Sequence, residues 1–357
     1  MKNNYKKIFN KKKVLITGHT GFKGSWLALW MHYLGANVMG ISKNIPTNPS
    51  HFNAIGLKNI INSKKIDIKN DKLLNSSIKK FKPDFIFHLA AQAIVKKSYF
   101  NSLETWKSNL LGTINLLESL KLIKKEVIVV LITSDKVYKN LEVKRGYKEQ
   151  DILGGIDPYG ASKSATEIAI KSYINSFFSS KRNKILITTA RAGNVIGGGD
   201  WSENRLLPDC IRSWSKGKKV IIRNPKSTRP WQHVLDVLNG YIKLAVKVKK
   251  NKGLHGEEFN FGPLNKNYQV TEILNNIKKI WPSIDWKIIK KKNFFENKLL
   301  NLNSNKAKNI LEWKTRLNIY SNIKLTIEWY KFYLENKNKK KLLKNSINQI
   351  KLFEKIK

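Results

Sequence analysis

Short apolar runs alternate with amphipathic stretches through the first half of the chain. Lys13–Thr17 is apolar and β-branched and reads as a buried strand. From Ser25 to Leu34 the apolar residues Trp26, Leu27, Leu29, Trp30 and Leu34 recur at helical spacing. Val38–Ser42 reads as a second strand and Ile66-Asp67-Ile68 as the end of a third. Pro83 to Gln92 is an apolar run that ends in small residues. Residues 104–122 predict an amphipathic helix, with Leu103, Trp106, Leu110, Ile114 and Leu117 on one face. Val127–Thr133 and Ile185–Arg191 predict two further buried strands, with a helix between them.

Beyond that point the alternation weakens. A helix is expected from Arg205 to Trp214, a short strand over Val220–Asn224, and a turn at Phe259–Pro263. The remainder to Tyr333 reads as mixed helix and strand. Residues 335–345 are Lys/Asn-rich and read as a solvated helix or loosely ordered, and 346–357 as a short amphipathic helix. Strand–helix alternation predicts an α/β chain with a doubly wound parallel sheet of Rossmann type. A smaller mixed α/β C-terminal substrate domain accompanies it. The expected partition is 1–193 with about 231–262 for the cofactor-binding domain, 194–230 with 263–335 for the substrate domain, and a Lys-rich tail over 336–357.

Composition narrows the class. The 357 residues are 41% hydrophobic, enough for a sizeable core. Cys210 is the single cysteine, so no disulfide framework forms and a reducing, cytoplasmic setting is expected. No apolar segment approaches the roughly 20 residues of a membrane helix, and no metal site is expected. The net charge of +43 is extreme. Its lysines are spread along the chain, which fits compositional drift toward Lys, Asn and Ile better than a nucleic-acid arm. A positive field still favours an anionic substrate.

The candidate chemistry lies at the ends of the predicted strands. Gly18, Gly21 and Gly24 follow the first strand at once and precede a helix. In that context they permit a tight turn and close approach of a pyrophosphate to the helix N-terminus. The end of strand two is Ser42-Lys43-Asn44, without the acid that often holds an adenosine ribose. NAD is therefore not distinguished from NADP there, and Lys43 suits a phosphate. Asp67 is placed either to accept from an adenine amino group or as a solvated turn aspartate. Ser134-Asp135-Lys136 ends a central strand, where polar groups point into the ligand crevice. Tyr159 and Lys163 lie one helical turn apart. A lysine cation lowers a neighbouring phenol from its usual value of about 10 and readies it as a base. Further on, Thr228-Arg229-Pro-Trp231-Gln-His233 combines a guanidinium suited to diphosphate with an aromatic that serves either stacking or core packing.

Gly18/Gly21/Gly24, Leu89-Ala-Ala-Gln92, Ser134-Asp-Lys136 and Tyr159/Lys163, in that order and spacing, resemble the extended short-chain dehydrogenase/reductase family. Thr17–Gly24, Thr133–Lys136, Arg191–Trp201 and Arg223-Asn-Pro with Arg229–Val234 resemble its nucleotide-sugar 4,6-dehydratases, with CDP-glucose the substrate implied. The likeness runs from about residue 10 to about 330. It implies C4 oxidation with NAD as hydride acceptor, elimination of water across C5–C6, and hydride return to C6. Tyr159, Lys163 and Ser134 would serve the 4-hydroxyl. Asp135 would be the acid for the departing 6-hydroxyl, and Lys136 would stand near C5. The dTDP-glucose relatives carry a glutamate at that place, so Lys136 is either a base or a stabiliser of the enolate. The same likeness implies that Gly18, Gly21, Phe22, Lys23, Gly24, Asp67, Ile68, Leu89, Ala90, Gln92, Tyr159 and Lys163 line NAD. Asn194, Arg205, Pro208, Arg229, Trp231 and His233 would surround the nucleotide sugar. Gly160 departs from the serine of many relatives and is expected to loosen the helix start. A homodimer or higher homo-oligomer is expected, through the helices at 104–122 and 160–178. A 4-epimerase or decarboxylase on the same fold, and a basic nucleic-acid-binding protein, are the rival readings.

Overall fold

The computed structural model describes residues 2–180, 183–263, 267–289 and 300–356. Residues 264–266 and 290–299, part of the stretch to Tyr333 read as mixed helix and strand, lie outside the described residues, as does Lys357.

Seven parallel strands form one sheet. They are β1 (Lys13–Thr17), β2 (Asn37–Ser42), β3 (Asn62–Lys65), β4 (Phe85–His88), β5 (Val127–Ile132), β6 (Ile185–Ala192) and a last strand, Glu258–Phe261. Their order is β3-β2-β1-β4-β5-β6 and then the last strand. The chain thus reverses direction across the sheet between β1 and β4. That reversal opens a crevice at the strand C-termini. Helices cover both faces, so the inner strands β4, β5 and β6 are buried throughout rather than half-buried. Val14, Ile16, Phe85, Phe87, Ile128 and Val130 pack on one face with α1 (Lys2–Phe9), α2 (Phe22–Tyr33) and the helix Val234–Lys250. Leu15, Ile86, Val129, Leu131 and Ile187 pack on the other with the helices after β3, β4 and β5. Neighbouring residues of one strand fall in opposite cores, as the pleat requires.

Three elements differ from the sequence expectation. The third strand is Asn62–Lys65, and Ile66–Ile68 lie just past its end. It is a polar edge strand with no apolar alternation to mark it. The helix around 104–122 begins at Ser102 and widens to a π-turn over Lys107–Leu111 before continuing from Gly112 to Lys121. The stretch expected to be a solvated helix or loosely ordered over 335–345, followed by a short amphipathic helix over 346–357, is one continuous helix, Lys339–Lys355. Asn338 caps it by accepting from the Lys340 and Lys341 amides, at 2.9 and 3.2 Å. Leu342, Ile350 and Phe353 share its buried face. This helix packs on α2: Phe353 meets the Trp30 ring edge-on at 5.7 Å, and Trp30 Nε1 donates to Glu354 at 3.0 Å. Its lysines occupy the outer face, so high charge and a firm dock coexist.

Among the described residues no helix is long and apolar enough to cross a membrane. Because Phe353 is fully buried, Phe353→Ala should destabilise the fold by about 3–5 kcal/mol. Urea unfolding measures this; a loss under about 1 kcal/mol, the range of surface substitutions, would contradict the docking described.

Candidate active site

The crevice is built on the first glycine loop. Gly18 has φ of +77°, and a Cβ there would lie 2.7 Å from the Ala90 amide nitrogen. A Cβ on Gly24 would lie 2.1 Å from the Gly18 carbonyl oxygen. Gly21 is the N-cap of α2 and makes no side-chain cap to its first amides. No acid stands in that first turn. An uncapped helix N-terminus behind a close-packed glycine turn fits a dinucleotide diphosphate. Ala90 and Leu89 end β4 beside it, and Thr17 Oγ1 accepts from the Ala90 amide at 3.2 Å. The loop residue Gln92 spends its side-chain amide on the Ile94 carbonyl and on Thr105, at 3.0 and 3.1 Å. Its backbone is held by Asn109, whose Nδ2 also donates to Ser162 on the helix Pro158–Tyr173 at 2.9 Å. Gln92 therefore shapes the loop. Asp67 and Ile68 follow β3, and Asp67 accepts from the Lys69 amide at 3.0 Å.

The second half of the crevice is the end of β5 and the start of the helix Pro158–Tyr173. Ser134 Oγ donates to Asp135 Oδ1 at 2.8 Å and accepts from the Lys136 amide at 3.2 Å. The Tyr159 hydroxyl lies close enough to Ser134 to interact with it. Asp157 caps the helix, with Pro158 in its first turn, and so fixes where Tyr159 emerges. A Cβ on Gly160 would lie 3.0 Å from the Lys136 carbonyl oxygen and 3.1 Å from Gly155 Cα. Gly160, expected to loosen the helix, instead lets it approach the Asp135–Val137 turn. Gly193 acts likewise: a Cβ there would stand 2.9 Å from Asp135 Oδ2.

Electrostatics correct one expectation. Tyr159 is not lowered; burial pushes it up to about 12, against the opposing effect of Ser134. Lys163 is itself driven down to about 8, first by burial and then by the Lys23 cation, and its Nζ reaches only the Ile132 carbonyl at 3.5 Å. Asp135 is raised by burial, against the Lys136 cation and the Ser134 hydrogen bond, which favours a protonated carboxyl. Lys23, expected only among cofactor contacts, sits close enough to interact with Arg205, Asp135 and Asp200, and its Nζ lies 6.0 Å from the Tyr241 ring centroid. The sequence signal was available: a lysine in the first helical turn opposes the helix dipole.

Arg205 joins this group through an ion pair with buried Asp200 at 2.8 Å. Pro208 is buried in the first turn of the helix Leu206–Trp214, and Asn194 is half-buried before Val195–Ile196. Arg229 lies on a two-residue strand paired with Tyr268-Gln269, and Trp231 Nε1 donates to the Tyr268 carbonyl at 3.3 Å. His233 is fully buried, and its Nδ1 accepts from the Leu235 amide at 3.2 Å to cap the helix Val234–Lys250. Among the described residues no group of three His, Cys, Asp or Glu side chains gathers to hold a metal.

Beneath the crevice lies a feature that the sequence reading missed. Arg191, 1% exposed, pairs with Glu167, 3% exposed, one turn beyond Lys163. Arg191 also donates to the Tyr138 hydroxyl at 2.7 Å and to the Glu149 carbonyl at 2.8 Å. Thr133 donates to Glu167 at 2.5 Å.

The family described as GDP-mannose 4,6 dehydratase matches residues 15–326. This chain belongs to that family. It is thereby an extended short-chain dehydrogenase/reductase. The family's CDP-glucose 4,6-dehydratase from Salmonella typhimurium is 39% identical over 93% of this chain and 94% of that protein. A dTDP-D-glucose 4,6-dehydratase from Dictyostelium discoideum is 30% identical over 70% of this chain and 58% of that longer protein. Among solved structures, the epimerase Mth375 from Methanothermobacter thermautotrophicus superposes with a TM-score of 0.80, at 24% identity, over 94% of this chain and 96% of that one. A dTDP-glucose 4,6-dehydratase from Bacillus anthracis, in complex with NAD, gives 0.72 at 22% identity over 90% and 96%. These two show the fold.

Glu167→Leu leaves the buried Arg191 cation with only the longer Glu258 pair at 3.8 Å and should cost about 3–5 kcal/mol, while adding Arg191→Met should recover most of that. Denaturant unfolding of both single variants and the double variant measures this; a double loss equal to the sum of the single losses would mean that the two charges are not coupled.

Proposed function

We propose that the chain is a hydro-lyase that dehydrates CDP-glucose to CDP-4-keto-6-deoxyglucose, with NAD as its cofactor. The observation that carries this is the Ser134-Asp135-Lys136 turn, fixed by its own hydrogen bonds beside the buried Tyr159. The Salmonella relative, similar over nearly its whole length, supports the substrate. Gly18, Gly21, Phe22, Lys23, Gly24, Leu89 and Ala90 would hold the dinucleotide. When bound, NAD accepts a hydride from C4 of the sugar and returns it at C6.

The chain's own groups do the proton work. Tyr159 takes the proton of the 4-hydroxyl, with Ser134 bridging it to Asp135. Burial makes Tyr159 a strong base once ionised, and Lys163 and Arg205 supply the local positive charge. Asp135, whose carboxyl burial raises, delivers its proton to the departing 6-hydroxyl. Lys136, on the same turn, serves the C5 step, as base or as the cation beside the enolate. Arg205, Arg229 and Trp231 are assigned to the nucleotide sugar, with Asn194 and Pro208 beside them. His233 supports that wall from within as a helix cap.

A 4-epimerase has no use for an acid beside the 6-hydroxyl, so the buried Asp135 favours dehydration. The same proposal includes a cytoplasmic setting and a homo-oligomer. Exposed Phe100, Leu103, Leu111, Ile168 and Phe177 on the helices flanking the site support the latter.

The test is incubation with CDP-, dTDP-, UDP- and GDP-glucose, with and without added NAD, followed by mass spectrometry. Loss of one water from CDP-glucose alone is expected. Loss from another nucleotide would keep the chemistry and replace the base; a galactose-configured product of unchanged mass would make the enzyme an epimerase. Lys136→Ala should still oxidise C4, with reduced dinucleotide accumulating, yet release no dehydrated product. Unchanged turnover would remove Lys136 from the C5 step.

A further inference from the structure

The strand-two end lacks the acid that ordinarily receives the adenosine ribose, and the structure shows what stands there instead. β2 ends at Ser42, and the turn after it is pinned. His19 Nδ1 and Ser42 Oγ are 2.9 Å apart, His19 Nε2 and Ser63 Oγ are 2.7 Å apart, and Thr20 donates to the Asn44 carbonyl at 2.7 Å. Between these anchors Lys43 points outward to Glu104, which comes from the short helix Ser102–Trp106. Lys43 Nζ and Glu104 Oε1 are 2.7 Å apart. Glu104 Oε2 is 2.7 Å from Lys69 Nζ, and Ser108 donates to Oε1 at 3.0 Å. Lys69 directly follows the Asp67-Ile68 pair and lies 3.6 Å from Asp67 Oδ2. One carboxylate from a distant helix therefore joins the strand-two end to the loop after β3.

We propose that Glu104 makes the cofactor site choose NAD over NADP, by occupying the two lysines that would otherwise receive a 2′-phosphate. The inference rests on the dinucleotide reading of the glycine loop. A ribose 2′-hydroxyl donates a hydrogen bond and needs an acceptor, which a carboxylate supplies. A 2′-phosphate brings only acceptors and about two negative charges. Lys43 and Lys69 are the cations placed to meet it, but both are already spent on Glu104, whose own charge repels the phosphate. The four groups Lys43, Lys69, Asp67 and Glu104 sum to no net charge, so the pocket offers a phosphate no surplus. The two lysines hold the Glu104 carboxyl down to about 2, so the clamp is charged throughout the working pH range. In a chain with 68 Lys and Arg against 25 Asp and Glu, a carboxylate devoted to two lysines at this spot is a scarce resource spent locally.

The experiment is calorimetric titration of the full-length chain, freed of copurified dinucleotide, with NAD and NADP. The unaltered protein should bind NAD more tightly. Glu104→Gln should tighten NADP by about tenfold, the worth of one charge-assisted hydrogen bond, while NAD changes little or weakens. Adding Lys43→Ser to Glu104→Gln should abolish the gain. Glu104 is one-third exposed, so the variant should fold, and a thermal melt checks it. If it does not, Glu104→Asp, which shortens the reach, should move the ratio of the two dissociation constants in the same direction by a smaller factor. An unchanged ratio in a folded variant, or an unaltered protein that prefers NADP, overturns the role of Glu104 alone. An unaltered protein that binds neither dinucleotide overturns the cofactor reading, and this inference with it.

Discussion

A guanidinium and a carboxylate buried together under the crevice constrain everything above them. Neither Arg191 nor Glu167 has water to fall back on, so each must be met by fixed partners. Meeting them joins parts of the chain that are far apart in sequence. Glu167 lies on the helix that carries Tyr159 and Lys163, Thr133 at the end of β5, and Arg191 in β6. Tyr138 passes the network to Asn260 on the last strand at 2.8 Å, and Asn260 Nδ2 donates to the Tyr147 carbonyl at 2.8 Å. The residues that would touch substrate are thus mounted on a polar plate that tolerates one arrangement. A crevice built on loops alone would not hold Ser134 and Tyr159 within reach of each other.

Glycine does the complementary work at the surface of that plate. Gly155 and Gly160 let the helix Pro158–Tyr173 lie against the Asp135–Val137 turn, and Gly193 leaves room for the Asp135 carboxylate. Close approach brings burial, and burial shapes the acid–base behaviour of the site. It raises Asp135 and Tyr159 and lowers Lys163 and Lys23. In each case burial favours the neutral form.

Much of the frame was legible because it depends on patterns that survive in one dimension. β5 is a continuous apolar run and β1, β4 and the start of β6 are nearly so, since a parallel sheet covered on both faces leaves no solvent-facing side. The glycine loop and the Tyr159/Lys163 spacing are set by local backbone geometry. What was not legible depends on partners distant in sequence. β3 is polar because it forms an edge, and nothing in Asn62–Lys65 announces a strand. Lys163 was expected to be a cation that lowers Tyr159, but burial and Lys23 reverse the emphasis. Glu104 looks like any acid on an amphipathic helix until Lys43 and Lys69 are seen to converge on it. The helix Lys339–Lys355 was legible in part: residues 346–357 read as amphipathic, but nothing in the Lys/Asn-rich 335–345 announced that Leu342 extends the same buried face.

The docking of that helix on α2 also bears on how the protein is made. Trp30 and its partner Glu354 are 324 residues apart. As the ribosome extends the chain, α2 and the first strands emerge early, with Trp30 lacking the cover it will finally have. Domains generally fold during synthesis from the N-terminal side. Here the sheet can assemble in that order, but its first layer is sealed only when Phe353 arrives. For that interval the nascent chain presents an aromatic surface that chaperones recognise, and truncated translation products would keep it exposed. Quality control could therefore distinguish a finished chain from an interrupted one by whether α2 is covered.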